Sequence, residues 1–152
     1  MDRFEAVTVS DPSSYFAGSY LGRGLAKLDW NQDGEMELIV THLDHPAALL
    51  EFHSEFAGHG LLLELVGVQS ERDAIGACVT IRTKRGIQVD WVTAGDGYLC
   101  TDEPVLAFGL ADCDVVDEVQ VRWPSGSVQT FEDVASDHRY LVIENSSQLH
   151  MR

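Results

Sequence analysis

The chain has few cysteines, few basic residues and no long apolar run, and each shortage excludes a class of protein. Its three cysteines are too few, and odd in number, for a disulfide framework. No stretch approaches the roughly 18 uninterrupted apolar residues of a membrane-spanning helix, so we expect no membrane insertion. The first residues lack the apolar core of a signal peptide. This start indicates either an intracellular protein or a piece of a longer secreted one.

The cysteines differ in their surroundings. Cys78 lies in the apolar run of a predicted strand, where a buried free thiol is the default. A bridge between Cys100 and Cys113 stays open as an alternative. No Cys-x-x-Cys pair indicates zinc or redox chemistry.

Basic residues are outnumbered by acidic ones, with 10 Lys and Arg against 25 Asp and Glu and a formal net charge of −15. Such a surface repels nucleic acid phosphates, and no basic patch interleaved with aromatic residues is visible, so nucleic acid is not an expected partner. The charge is compatible with cations or basic partners, and equally with a plain soluble acidic surface.

Short β-type segments separated by turn residues fill most of the chain. Apolar runs or clean alternation predict strands at residues 61–66, 78–83, 88–93, 105–110, 116–123, 128–131 and 140–143. Lys84, Arg85 and Gly86 predict a hairpin turn, and residues 46–50 read as a short helix or, equally, a strand. The fold class is therefore all-β, a sandwich or barrel-like domain. A break near residues 55–60 separates a first unit, residues 1–55, from a main domain, residues 60–145.

Residues 29–37 carry the strongest chemical signal. Asp29, Asn31 and Asp33 place side-chain oxygens at alternate positions, and Gly34 follows where the chain must turn sharply. Calcium binds six to eight oxygens, and this spacing can direct several of them inward. The position that would close an EF-hand loop is Val40, so an EF-hand is excluded.

We therefore predict a calcium ion held between two short strands. The predicted ligands are the side chains of Asp29, Asn31, Asp33 and Glu37, together with the backbone carbonyl of Glu35. The alternative is a plain hairpin turn, since Asn, Asp and Gly are also the residues of tight turns.

A series of motifs between residues 61 and 144 resembles the ASPIC/UnbV domain, the C-terminal module of cartilage-acidic-protein-like proteins. In order, the motifs are Ser70-Glu71-Arg72-Asp73-Ala74-Ile75-Gly76-Ala77, Gly95-Asp96-Gly97-Tyr98-Leu99, Phe108-Gly109-Leu110, Val116-Asp117-Glu118-Val119, Trp123-Pro124-Ser125-Gly126 and Phe131-Glu132-Asp133-Val134. Residues 22–50 resemble one FG-GAP/VCBS repeat, a β-propeller blade with a calcium loop. The repeat's acidic pattern falls on Asp29, Asn31, Asp33 and Gly34 and closes at Glu37, where Asp is common in the family.

The resemblance implies a secreted or periplasmic parent protein with several such repeats, of which residues 1–55 are the last. It implies a noncatalytic module for recognition or assembly, with an unidentified protein or glycan partner, and it supplies no catalytic residues. Two alternatives stay open: a carbohydrate-binding module presenting Trp91, Tyr98 and Trp123, and an accessory domain of a larger enzyme system.

Catalytic and transition-metal signals are weak in the rest of the chain. His42, His45, His53 and His59 lie close in sequence, but no Glu-x-x-His or His-Glu-x-x-His framework accompanies them. Ser125 lacks the Gly-x-Ser-x-Gly elbow of a hydrolase. We interpret Arg72 and Asp73 as an ion pair within their loop, with Arg72 at a ligand carboxylate or phosphate as the functional alternative. We therefore expect no enzyme activity.

Overall fold

The computed structural model describes residue 9, residues 11–51 and residues 58–152. In this part of the chain, a short 3-10 helix, Tyr15–Ala17, is followed by strands β1 (Gly22–Leu28), β2 (Glu37–His42), β3 (Ala48–Leu50), β4 (His59–Val66), β5 (Cys78–Thr83), β6 (Gly86–Trp91), β7 (Val105–Ala111), β8 (Val115–Arg122), β9 (Val128–Ala135), β10 (His138–Ile143) and β11 (Leu149–Met151). The all-β prediction is confirmed. The described residues contain no helix long and apolar enough to cross a membrane.

The strands form three sheets. A small sheet has the order β1-β2-β3, sheet I has the order β11-β10-β4-β7, and sheet II has the order β6-β5-β8-β9. All pairings are antiparallel except β10 with β4, which run parallel. Residues 46–50, left open between helix and strand, end in strand β3. The predicted unit boundary near residues 55–60 lies partly outside the described residues, which resume at residue 58.

Sheets I and II share one apolar core, as in a β-sandwich. Alternate residues of β4, β5 and the second half of β8 are fully buried because successive strand side chains point to opposite faces. Leu63, Ile81, Val119 and Val121 are each 0% exposed. Trp123 follows β8 and joins this core with 2% of its surface exposed.

The hairpin predicted at Lys84, Arg85 and Gly86 is confirmed. Thr83 pairs with Gly86 across a two-residue turn, and β5 and β6 then pair as far as Cys78 and Trp91. The predicted alternation of β8 is confirmed from Val119 to Trp123, whereas Val116 also faces the core three residues before Val119. The apolar residues at alternate positions of a strand therefore define the face that packs against the other sheet.

Candidate functional site

The acidic loop, residues 29–37, connects β1 to β2 as predicted. The antiparallel register pairs Leu28 with Glu37, so the last predicted ligand lies at the base of the loop beside Asp29. Gln32 and Gly34 adopt positive φ angles of 59° and 92°. Glycine tolerates that conformation without a Cβ penalty, so Gly34 allows the sharp turn that the sequence predicted.

Two carboxylates of the loop are buried. Asp29 and Glu37 are 7% and 3% exposed. Asp29 accepts hydrogen bonds from the backbone N–H groups of Asp33 at 3.1 Å and Gly34 at 3.3 Å. Glu37 accepts one from Trp30 N–H at 2.8 Å. Among the described residues, neither carboxylate forms an ion pair, although burial of an unbalanced charge is costly.

The remaining predicted ligands are exposed and bonded to one another. Asn31 Oδ1 accepts a hydrogen bond from Asp33 N–H at 3.0 Å, and its Nδ2 donates to Asp33 Oδ2 at 2.7 Å. Glu35 N–H donates to Asp33 Oδ1 at 2.8 Å, and the Glu35 side chain points to solvent. The five residues are thus gathered in one loop through side-chain to backbone bonds.

The donors of the loop fit a hard cation by chemical type. They are carboxylate, amide and backbone oxygens, the ligands that calcium prefers. In the part of the chain that the structure describes, no three His, Cys, Asp or Glu side chains are grouped closely enough to hold a metal ion by themselves. Binding here therefore requires Asn31 and a backbone carbonyl in addition to the carboxylates.

A docking segment, residues 100–103, lies along the open edge of β1 and was missed by the sequence analysis. Glu103 N–H donates to Lys27 O at 2.9 Å, and Lys27 N–H donates to Asp102 Oδ1 at 2.8 Å. Asp29 N–H, at the start of the acidic loop, donates to Glu103 Oε2 at 2.9 Å. The main domain therefore holds the first residue of the acidic loop in place.

The docking segment contains Cys100, one of the three cysteines. Cys100 Sγ donates to Leu25 O at 3.1 Å, whereas Cys113 is 1% exposed in the sandwich core. All three cysteines are free, so the bridge between Cys100 and Cys113 is not formed. The interpretation of Cys78 as a buried free thiol is confirmed.

A groove of about 710 Å³ lies between the acidic loop and sheet I. Asp33 and Glu35 line one wall, and His59, Arg139 and Arg152 line the other. Charged side chains of the acidic loop and of sheet I and its flanking residues therefore line the same groove.

Arg139 connects the docking segment to sheet I across this groove. Its Nη2 lies 2.8 Å from Glu103 Oε1 and 3.3 Å from Glu64 Oε2. Burial alone would lower the pKa of Arg139, but the hydrogen bonds and charges of Glu103 and Glu64 raise it above its usual value. Arg139 therefore stays charged and links the acidic loop, through Glu103, to β4.

The histidines that the structure describes do not converge on a metal site. His42 has Nε2 at 2.7 Å from the Tyr15 hydroxyl and Nδ1 at 2.8 Å from Pro46 O. His45 pairs with Asp44 at 3.1 Å. His59 Nδ1 lies 2.6 Å from Asp137 Oδ2, and this hydrogen bond lowers the pKa of Asp137. His53 lies outside the described residues.

A third buried carboxylate, Glu144, lies immediately after β10. Its Oε2 accepts hydrogen bonds from the backbone N–H groups of Val68, Gln69 and Ser70 at 2.6–2.7 Å. Its Oε1 accepts from the hydroxyls of Ser70 at 2.8 Å and Ser125 at 2.6 Å. This cradle joins two of the sequence motifs, because Ser70 and Ser125 belong to different ones.

Burial raises the pKa of Glu144, but the hydrogen bonds from Ser125, Ser70 and Val68 outweigh burial and lower it to about 2.

The ion pair predicted between Arg72 and Asp73 is not found among the described residues; Asp73 N–H instead donates to Glu71 Oε2 at 3.1 Å. The cradle, rather than that ion pair, ties the loop after β4 to the rest of the domain.

The three aromatic residues considered for a sugar platform are not on one surface. Trp91 and Tyr98 are 49% and 68% exposed, whereas Trp123 is buried in the core. Only the first two are accessible to a ligand.

Comparison with known proteins identifies relatives of both parts of the chain. The family model described as ASPIC and UnbV matches residues 67–149. Cartilage acidic protein 1 of Mus musculus and that of Homo sapiens are each 32% identical to the chain over 127 residues, or 81% of this chain and 19% of the relative. The Xenopus tropicalis protein of the same name is 33% identical over 112 residues, or 72% of this chain and 17% of the relative.

The chain thus spans about a fifth of the length of these curated relatives. Because the mouse and human matches cover 81% of the chain, they extend well upstream of residue 67 and into the small sheet.

Proposed function

Because this chain belongs to the ASPIC and UnbV family, we propose that it is a noncatalytic, calcium-binding recognition or assembly module of a secreted or envelope protein. The similarity to cartilage acidic protein 1 supports this role. The chain is itself strongly acidic, with a net charge of −15.

The calcium proposal rests on one observation above all. Asp29 and Glu37 are buried at the base of the acidic loop, and among the described residues both carboxylates accept hydrogen bonds from backbone N–H groups. A bound cation would balance the two charges. Asn31, Asp33 and the Glu35 carbonyl would complete an oxygen coordination shell.

The small sheet supports assignment to an FG-GAP/VCBS repeat. It places the acidic loop between two antiparallel strands, β1 and β2, followed by β3. A propeller requires about four to eight blades. The curated relatives are long enough to carry more of them, since this chain spans 19% of their length. We propose that the small sheet is one blade of such an array.

The test is thermal unfolding of chelator-treated protein with calcium or, as a control, with magnesium. Calcium at about a hundred times its dissociation constant should add about 2.7 kcal/mol to the free energy of unfolding. Asp33→Ala should abolish this gain and leave the calcium-free protein nearly unchanged, because Asp33 is exposed. Asp117→Ala is the matched control, since it removes an exposed carboxylate from β8 and should retain the calcium response.

Two results would contradict the calcium proposal. One is equal stabilisation of the wild type and the Asp33→Ala variant by calcium. The other is equal destabilisation of that variant with and without calcium, which would make the acidic loop a structural turn.

Carbohydrate binding is the second candidate function, favoured by the exposure of Trp91 and Tyr98. Exposed aromatic faces provide apolar contact area for sugar rings. A glycan array should then show a signal that is lost in both Trp91→Ala and Tyr98→Ala. A signal that survives both substitutions would exclude these residues as a platform.

A further inference from the structure

Strand β6 is an edge strand whose whole length is exposed. Sheet II has the order β6-β5-β8-β9, so β6 pairs with β5 on one side only. Each of its six residues, Gly86–Trp91, is exposed. An open edge of this kind presents unpaired backbone groups to another chain.

The hydrogen-bond pattern identifies which backbone groups are free. Val92 N–H donates to Ala77 O at 3.0 Å, and bonding residues alternate along an antiparallel pair. Even-numbered residues of β6 therefore bond to β5, and Ile87, Val89 and Trp91 direct their N–H and C=O groups outward. Trp91 N–H is already taken by Asp90 Oδ1 at 2.8 Å. Within the described parts of the chain, Ile87 and Val89 remain as the residues of β6 whose N–H and C=O groups are both available.

The side chains of these residues form an apolar stripe. Ile87, Val89 and Trp91 are 58%, 44% and 49% exposed. Because alternate residues of a strand share a face, the three side chains lie on the same side of sheet II. An added strand would therefore gain apolar contact as well as backbone hydrogen bonds.

Charge is distributed asymmetrically along β6. Lys84 and Arg85 precede its first residue in the hairpin turn, and Asp90 lies near its other end. Arg85 is 60% exposed and bound to the exposed Asp112, so its side chain is free to exchange partners. Such a strand is complementary to an antiparallel copy of itself, because the basic end of each copy then meets the acidic end of the other.

We propose that β6 is a self-association edge at which two copies of this chain pair antiparallel. The free groups set the register: Ile87 pairs with Val89 of the partner subunit, and Val89 with Ile87 of the partner subunit. Arg85 then lies beside Asp90 and Trp91 of the partner subunit, where ion pairing and cation–π contact are both available. A two-fold contact of this type closes on itself and forms a dimer rather than a fibre.

The dimer should be weak, because a single strand edge is a small interface. The first test is sedimentation equilibrium of the full chain in about 0.15 M salt, where the Debye length of about 8 Å limits repulsion between two acidic copies. Over roughly 10 μM to 1 mM protein, the mass should rise from 16.8 kDa towards twice that value.

Val89→Lys should raise the dissociation constant by about tenfold or more, since a charge on an edge strand opposes pairing. Val128→Lys is the matched control. Val128 is 54% exposed on β9, the opposite edge strand of sheet II, so this variant should dimerise like the wild type.

A second test examines the register through charge reversal. Arg85→Glu and Asp90→Lys should each weaken dimerisation, because like charges then meet across the two-fold axis. An equimolar mixture of the two variants should form a heterodimer, since both cross-strand contacts regain opposite charges. Circular dichroism of each variant checks that the fold is retained.

The proposal is overturned if the wild type remains a 16.8 kDa monomer over this range, or if Val89→Lys and Val128→Lys dimerise equally. A mixture of the two charge variants that stays monomeric overturns the register. Calcium is not needed for any of these results, so they are independent of the acidic loop.

Discussion

Three buried carboxylates of this chain differ in how their negative charge is balanced. Glu144 accepts three backbone N–H bonds and additional hydroxyl bonds, which suffice to stabilise its charge without a cation. Asp29 and Glu37 have two donors and one donor respectively, each from the loop backbone. The same chemical group is therefore a structural anchor in one place and a candidate metal ligand in another.

Glu144 should make stability depend on pH in the acid range. Its folded pKa of about 2 lies below the ordinary value of 4.5. A depressed folded pKa contributes stability that is present above pH 4.5 and is lost as the pH falls towards 2. Glu144→Gln should flatten this part of the profile and lower the free energy of unfolding at pH 7 by about 2–3 kcal/mol.

Urea unfolding between pH 7 and acid pH measures this effect. Glu132→Gln serves as the control, because Glu132 is an exposed carboxylate on β9. An unchanged acid profile in Glu144→Gln would show that the cradle does not stabilise the charged form.

At the scale of elements, the docking segment acts as an edge partner for β1. Its bonds to Lys27 and Asp29 join two elements that lie about 75 residues apart in sequence. Through Glu103 and Arg139, the acidic loop is connected to β4 of sheet I. The position of Asp29, the first predicted calcium ligand, thus depends on the docking segment and sheet I as well as on the loop.

Asp102→Ala should loosen this contact without unfolding the sandwich. The variant removes the acceptor of Lys27 N–H, so hydrogen exchange at Lys27 should accelerate, by about tenfold for a bond contributing 1–1.5 kcal/mol. Hydrogen exchange in β4 should not change, because β4 is stabilised by the apolar core between sheets I and II. Thr101→Ala, at an exposed neighbouring position, is the control. Equal acceleration at Lys27 and in β4 would mean that the two parts unfold as one unit.

For the whole molecule, the net charge of −15 opposes compaction. Raising sodium chloride from about 0.01 M to 0.15 M shortens the Debye length from about 30 Å to about 8 Å and should raise the Tm. Differential scanning calorimetry of the calcium-free protein measures this shift. A Tm that falls over this range would show that attractive surface pairs, such as Arg85 with Asp112, outweigh the general repulsion.

The sequence predicted much of the fold because strand signals are local. The alternation of β8 from Val119 onward, the apolar run of β4 and the turn at Lys84 and Arg85 each depend on neighbouring residues, and the structure confirms all three. The acidic loop was recognised for the same reason, since its oxygens follow one another at fixed spacing. Its connection of β1 to β2 agrees with the structure, while its affinity for calcium stays a prediction.

The features missed by the sequence analysis all depend on distant contacts. Glu103 meets Asp29, and Glu144 meets Ser70, only after the chain has folded back over more than 70 residues. No local pattern distinguishes these glutamates from exposed ones. Likewise, Trp123 and Trp91 both lie in alternating segments, and only the packing of sheet I on sheet II makes one buried and the other exposed.

The sequence by itself therefore determined the all-β class, the positions of most strands along the chain and the oxygen-rich spacing of the acidic loop, because covalent geometry sets the positions of residues a few apart. Tertiary structure alone decided which carboxylates are buried, which partners they have and which strand edge stays open. Those properties follow from sheet register and from the approach of segments far apart in the chain, where burial sets the energetic cost of each charge.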